Sequence, residues 1–370
     1  MLGGHDTVFV KPQTGELILT SQENSIVLHP LWLRERALNS DTLDPITKQR
    51  KYEHSLFQSD LKVIEAKISE KSKLDIYFSD SFEGHFNLDQ IKNEIGWLKD
   101  VESPPVLESW TASINLKRIN WECLKDPSNL KHMLHNFLKY GFCVMENTPT
   151  EKDSLLKLAG KFGYVRHTHW GKLFNVEIKR MPTDTAYTDD ALSSHTDNPY
   201  RDPVPTVQVL YCLESSAAGG ENMVVDGFRV AQELRAENEV WFNVLAHYCA
   251  RFEYTGSDGV ILKSRRPMIE LAPDGELIGV RFNNRSTSAI KDVPFEDMQT
   301  YYTAYRRTGE IIDDPAIQVS FRLEPGECFL VDNRRVLHAR KGYSGAGRRW
   351  IQGRYADMDS LKSKLAALEA

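Results

Sequence analysis

The chain has 370 residues, of which 41% are hydrophobic and 26% charged, a globular composition that excludes a disordered chain. Its 52 acidic residues outnumber 46 basic ones, for a formal net charge of -6, which disfavours a non-specific nucleic-acid binder. No run approaches the roughly 18 apolar residues of a membrane span, and Met1-Leu-Gly-Gly-His-Asp6 has neither the basic nor the apolar part of a secretory signal, so a cytoplasmic protein without membrane association is expected.

Short β-prone runs at 8–10, 16–19 and 25–28 are separated by Pro, Gly and polar residues. Lys73-Leu-Asp-Ile-Tyr-Phe78 alternates polar and apolar like a half-buried strand, with Tyr77 in a polar slot. A turn at Phe82-Glu-Gly-His85 and a helix over 88–97 are expected next. Ser103-Pro-Pro105 breaks secondary structure, so residues 101–112 are expected to link a small β-rich domain, 1–100, to a larger domain, 113–370. In the larger domain, helices are expected over 126–139, 152–162 and 228–250, and strands over 206–213, 278–282 and 328–331. Separated strands with long loops favour a β-sandwich or jelly roll over a doubly wound sheet, and neither a dinucleotide nor a P-loop signature is present. The five cysteines, at 123, 143, 212, 249 and 328, lack metal-cage spacing and read as reduced core thiols. Residues 360–370 read as an amphipathic helix able to support a homodimer.

The sharpest local signal is Ser194-His195-Thr196-Asp197-Asn198-Pro199. Residues i and i+2 of an extended segment project to one side, so His195 and Asp197 can offer an imidazole and a carboxylate to one point. His338, after the strand expected at 328–331, is the candidate third ligand. Two His and one carboxylate form the facial triad of non-haem Fe(II) oxygenases, which leaves positions open for a bidentate 2-oxo acid and O2. Alone, the H-x-D also reads as a capped surface turn, and His338 as a buried histidine on a carbonyl. Arg349, in Gly347-Arg-Arg-Trp-Ile351, adds a fork suited to the far carboxylate of 2-oxoglutarate.

In this order the residues resemble the taurine-dioxygenase-like Fe(II)/2-oxoglutarate oxygenases, and more narrowly the γ-butyrobetaine and trimethyllysine hydroxylases. The resemblance runs through Trp32-Leu-Arg-Glu-Arg36, Ala186-Tyr-Thr188, His195-Thr-Asp-Asn-Pro199, Gly219-Gly-Glu-Asn222, Val225-Asp-Gly-Phe228, Phe282-Asn-Asn284, Asp332-Asn-Arg-Arg-Val-Leu-His338 and Gly353-Arg-Tyr-Ala-Asp357. It implies a mainly β fold with helices: a double-stranded β-helix (jelly roll) catalytic domain plus a small N-terminal domain. It further implies Fe(II) on His195, Asp197 and His338, with 2-oxoglutarate on Arg349. Oxidative decarboxylation to succinate and CO2 would then be coupled to hydroxylation of a substrate C–H. The chain departs from the family in two places. The segment after Trp32-Leu-Arg has none of the cysteines that bind zinc in the animal γ-butyrobetaine enzyme, so His85 would stand alone and no structural zinc is expected. Asn222 replaces a Ser or Thr common in relatives.

By the same resemblance, Trp170, Phe174, Tyr187 and Tyr355 occupy the positions of an aromatic cage for a quaternary ammonium, with Trp170 and Phe174 four apart as if on a helical turn. At the anionic end, Asp184 replaces an Asn that helps bind the substrate carboxylate. Asn198, Tyr200, Asn284 and Arg285 are candidate replacements, Arg285 offering a fork for phosphonate or carboxylate. The altered anion end and the missing cysteines favour 2-(trimethylammonio)ethylphosphonate, hydroxylated next to phosphorus. The alternative is γ-butyrobetaine, giving L-carnitine. A zinc hydrolase or a non-catalytic betaine binder is the more remote reading.

Overall fold

The computed structural model describes residues 6–369 apart from 23, 70–71, 98–106, 116, 152–153, 155–159, 161–162, 179–184, 258 and 345–346. The fold is mainly β with helices, and the chain divides into two compact units, 1–103 and 104–370. Among the described residues, no helix is long and apolar enough to cross a membrane.

In the first unit, β1 (Thr7–Val10), β2 (Leu17–Ser21) and β3 (Asn24–Leu28) form one antiparallel sheet, and β4 (Val63–Ser69), β5 (Lys73–Phe78) and β6 (Glu83–Asn87) form another. Leu74, Ile76 and Phe78 of β5 meet Leu17, Leu19, Phe86 and Ile91 in one core, while Tyr77 stays exposed. Residues 83–85 of the turn expected at 82–85 belong instead to β6, and the reversal falls on residues 79–82. Gly84 lies opposite Ile76, where a Cβ would come within 2.7 Å of the Phe86 ring, so this glycine serves close packing in the sheet. His85 Nδ1 lies 2.7 Å from Asp75 Oδ1 on the neighbouring strand.

The second unit contains β7 (Arg118–Asn120), β8 (Phe142–Glu146), β9 (Val165–Arg166), β10 (Phe174–Val176), β11 (Leu192–His195), β12 (Val207–Ser215), β13 (Ala218–Gly219), β14 (Asn222–Asp226), β15 (Cys249–Ser257), β16 (Val260–Pro267), β17 (Ile269–Leu271), β18 (Leu277–Val280), β19 (Val319–Phe321), β20 (Cys328–Asp332), β21 (Val336–Arg340), β22 (Tyr343–Ser344) and β23 (Arg349–Ala356). The larger sheet runs β10-β23-β12-β20-β8-β7, with β9 also on β23, and the smaller runs β11-β21-β14-β19. Strand alternation divides the burial. Val207, Val209 and Tyr211 of β12 pack with helices Pro127–Tyr140 and Met358–Glu369. Leu210 and Cys212 of the same strand join Phe329 and Val331 of β20 against Val224, Val319 and Val336 of the smaller sheet. The apolar side of the C-terminal helix, Leu361 and Leu365, is thus spent on the chain's own core rather than left for a second copy.

Several expectations need correction. The single helix expected over 228–250 is two, Gly227–Glu237 and Glu239–His247, because Asn238 leaves the helical region (φ -158°) and its side chain caps the second by accepting from Val240 and Trp241 N–H. Residues 101–106 of the expected linker lie outside the described residues, as does most of the helix expected over 152–162. Within the rest of the linker Trp110 is anchored: it is buried against Phe142, and its main-chain N–H donates to Asp226. Cys143, Cys212 and Cys328 are buried thiols, but Cys123 is exposed on a short turn whose inward places go to Trp121 and Leu124.

Candidate active site

Register brings the site together. β11 pairs with β21 so that His195 lies directly opposite His338, and the ring centroids are 4.4 Å apart. His195 Nδ1 donates to the Ser193 carbonyl (2.8 Å), which leaves the Nε2 lone pair for the site. Nε2 is 3.3 Å from Asp197 Oδ1, and His338 Nε2 is 3.9 Å from Asp197 Oδ2. One donor atom from each of the three lies within 4.8 Å of the others. Burial first, then the His195 charge, push the His338 imidazole down to about 3, so it is neutral. Burial alone would raise the Asp197 carboxyl; its contacts with His195, His338 and the Tyr355 hydroxyl outweigh it and hold the group well below the usual carboxylate range. A neutral, buried His338 beside His195 and an ionised carboxylate is the donor set a ferrous ion takes, so the residues fit the metal.

Asp197 is held from three directions. Its Oδ2 accepts from Gln208 Nε2 (2.6 Å) and from the Tyr355 hydroxyl (2.8 Å). Its main chain is clamped by Asn333, which accepts from Asp197 N–H (2.6 Å) and donates to Asp197 C=O (2.9 Å). Burial and the Asp197 charge raise the Tyr355 hydroxyl well above the phenol range, so it remains a donor. Gln208 was not singled out from the sequence, although a lone amide in the apolar run Val207-Gln-Val-Leu-Tyr-Cys212 is a readable signal. Asn333 stood inside a quoted motif without a role.

A cavity of about 380 Å3 opens from these ligands between the two sheets. Arg349 lines one part of it, 8% exposed, and donates to Asn222 Oδ1 (3.1 Å); the Asn that replaces a hydroxyl residue therefore orients this guanidinium. Burial, then the Arg340 charge, push Arg349 down to about 10. It remains a cation at neutral pH and faces the cavity with no carboxylate paired to it among the described residues, the chemistry a carboxylate ligand would meet.

Trp170, Phe174, Tyr187 and Tyr355 all line this cavity. Trp170 and Phe174 share no helical turn: Trp170 sits in a tight turn closed by the Thr168–Gly171 bridge, and Phe174 opens β10. They enter the cavity as two pairs, Trp170 edge-on to Tyr187 (6.1 Å) and Phe174 beside Tyr355 (5.1 Å). Phe174 reaches Tyr355 across Gly353, its partner on β23, where a Cβ would lie 2.2 Å from the Phe174 ring. Tyr254 of β15, unnoticed in the sequence, also lines the cavity, 5.6 Å from Trp170 and stacked on Tyr200 at 5.0 Å.

Asp184 lies outside the described residues. Asn198, Tyr200 and Arg285 line the cavity. The Tyr200 hydroxyl donates to Asn198 Oδ1 (2.5 Å), and Asn198 Nδ2 is buried with no partner among the described residues, a donor available to an anion. Asn284 does not line the cavity: its Oδ1 accepts from the Tyr305 hydroxyl (2.6 Å) on helix Phe295–Ile312, and its neighbour Asn283 takes the lining position.

The chain also matches known proteins. The family described as taurine catabolism dioxygenase TauD, TfdA family matches residues 105–355. The chain belongs to that family. The enzyme is a 2-oxoglutarate-dependent non-haem iron dioxygenase, with Fe(II) and 2-oxoglutarate as cofactor and co-substrate, and the zinc-hydrolase and non-catalytic readings fall away. It is 27% identical over 363 residues to the gamma-butyrobetaine dioxygenase of Homo sapiens, covering 95% of this chain and 93% of that protein. It is 29% identical over 354 residues to the gamma-butyrobetaine dioxygenase of Pseudomonas sp. (strain AK-1), covering 92% and 90%. Trimethyllysine dioxygenase of Meyerozyma guilliermondii is 29% identical over 366 residues, covering 91% and 89%. Among solved structures, asparagine oxygenase in complex with Fe(II), 3-hydroxyasparagine and succinate shares the fold, with TM-score 0.50, 18% identity, and coverage of 62% of this chain and 79% of that one.

Proposed function

We propose that the enzyme hydroxylates a C–H of a small trimethylammonium zwitterion, with γ-butyrobetaine, giving L-carnitine, as the substrate to test first. The observation that carries this reading is a single cavity joining the His195, Asp197 and His338 donors to two aromatic pairs. A quaternary ammonium cannot donate a hydrogen bond and is held by aromatic faces. The relatives named for γ-butyrobetaine and trimethyllysine support the trimethylammonium class and give no support to the phosphonate. The two grounds for the phosphonate were the change at Asp184, which lies outside the described residues, and the missing zinc cysteines of the first unit, which is a separate compact unit. We further read the two sheets as the double-stranded β-helix of the family and the first unit as its small N-terminal domain. A cytoplasmic homodimer completes the proposal, to be checked by light scattering on the purified chain.

In this reading His195, Asp197 and His338 hold the ferrous ion, which with 2-oxoglutarate and O2 supplies the oxidising power for hydroxylation. Gln208 and Tyr355 both donate to Asp197 Oδ2 and so orient the carboxylate that would hold the metal. Arg349, held by Asn222, pairs with the distal carboxylate of 2-oxoglutarate. Trp170, Phe174, Tyr187 and Tyr355 orient the trimethylammonium group. Asn198 Nδ2 and Arg285 receive the substrate anion, so the chain binds both ends and presents one carbon for reaction.

The test is anaerobic addition of γ-butyrobetaine to the protein loaded with Fe(II) and 2-oxoglutarate. A change in visible absorption is expected, followed on admission of air by matched amounts of succinate and carnitine. A response to 2-(trimethylammonio)ethylphosphonate alone would reverse the choice of substrate.

A further inference from the structure

The strand that carries His338 ends on Arg340, two residues further along the same face and 4% exposed. Its guanidinium donates to three main-chain carbonyls: Ala186 (3.3 Å), Thr188 (2.9 Å) and Asp190 (2.6 Å). Tyr343 N–H donates to the fourth, Asp189 (3.1 Å). Four of the five carbonyls between 186 and 190 are therefore held by residues 340–343, and Tyr187 projects from the middle of this segment into the cavity. Arg340 also touches the other end of the site. Its guanidinium carbon lies 5.0 Å from the Tyr343 ring centroid, and that of Arg349 lies 5.7 Å from the same ring. Two cations thus share one aromatic ring in a buried setting, where their mutual repulsion is weakly screened.

We infer that Arg340 is a positioning residue that couples the two ends of the cavity: a carboxylate bound at Arg349 tightens the hold of Arg340 on the segment carrying Tyr187. Neutralising Arg349 removes one of the two repulsions on Arg340, that of Arg285 remaining, and Arg340 then engages the Tyr343 ring and the three carbonyls more strongly. The co-substrate accordingly orders one wall of the cavity before the second ligand arrives. The fork is essential, because a lysine ammonium on a flexible stem cannot reach three diverging carbonyls at once. This inference rests on the reading that Arg349 receives 2-oxoglutarate.

The test is amide hydrogen exchange of a peptide spanning 185–192, in full-length protein loaded with redox-inert Mn(II), with and without 2-oxoglutarate. Isothermal titration of 2-oxoglutarate into the same sample runs beside it. In the unaltered protein, 2-oxoglutarate should slow exchange in this peptide about fivefold or more, at the lower end of ordinary coupling between sites. In R340K the slowing should fall below about twofold while 2-oxoglutarate still binds, and Y343L, which removes the shared ring together with the hydroxyl that donates to the Thr188 carbonyl (3.5 Å), should behave likewise, with Y343F, which loses the hydroxyl alone, retaining the slowing. A purely structural role for Arg340 would raise exchange equally in both states and leave the ratio intact. Binding of 2-oxoglutarate with no change in exchange in the unaltered protein overturns the coupling, whether or not the variants fold. Unchanged slowing in folded R340K or Y343L also overturns it. Failure of 2-oxoglutarate to bind at all instead removes the co-substrate reading of Arg349.

Discussion

Two side chains meet at one oxygen of Asp197, and neither is a metal donor in the sequence pattern. Gln208 and Tyr355 both donate to Oδ2, so the carboxylate is oriented by its neighbours. Loss of such an outer partner typically weakens metal binding 10- to 100-fold. Q208L should lower Mn(II) affinity by about that range, read by electron paramagnetic resonance titration. Y355F, which keeps the ring, should weaken the metal similarly while leaving the aromatic pair with Phe174 in place. His169 gives a second residue-scale test. It accepts from Arg201, packs against Trp170 (4.3 Å), and is pushed down to about 4 by burial and the Arg201 charge. Between pH 6.5 and 4 the unfolded chain therefore takes up a proton that the folded protein refuses, and this contribution to stability is lost as pH falls through that window. H169F, with nothing to protonate, should lose less of its thermal midpoint between pH 7 and 4.5 than the unaltered protein, by on the order of 2 °C.

At the scale of elements, strand alternation was legible and the breaks between elements were not. The alternation of 73–78 predicts β5 because polar and apolar residues take opposite faces of a sheet. The interruption at Asn238 was hidden, since an Asn inside an apolar-periodic stretch reads as helix until its side chain is seen capping the next one. The spacing of Trp170 and Phe174 misled for the opposite reason: a four-residue interval imitates a helical turn, whereas these rings are brought near the site by a tight turn and by the register of β10 on β23. The junction before β21 rests on a buried ion pair. Arg335 donates to both oxygens of Asp226 (3.0 and 2.8 Å), and Asp226 also accepts from the Phe228 and Trp110 amides. D226N leaves Arg335 charged and unmatched in the core, and should cost about 3–5 kcal/mol in chemical denaturation.

For the whole molecule, the candidate metal donors come from the end of β11 with the residues just after it and from β21, segments adjacent in space and far apart in the chain, so a bound ion would favour the folded state alone. Mn(II) at 100 times its dissociation constant should add about 2.7 kcal/mol to stability, reversed by a chelator. A thermal midpoint that does not respond to Mn(II) or chelator would show that the three residues hold no metal.

Part of the site's chemistry was readable in the chain because residue type and short spacing carry it, as with His195 and Asp197 two apart in an extended segment and a cationic fork at Arg349, while the aromatic residues at 170, 174, 187 and 355 came from the resemblance. What those residues meet was decided only by the tertiary structure. Cross-strand register set His338 opposite His195, β12 turned Gln208 toward Asp197, and Asn284 went to Tyr305 instead of the cavity. The physical reason is that periodicity is a property of neighbours in sequence, whereas register and side-chain partnership are settled by packing between segments that the chain itself keeps far apart.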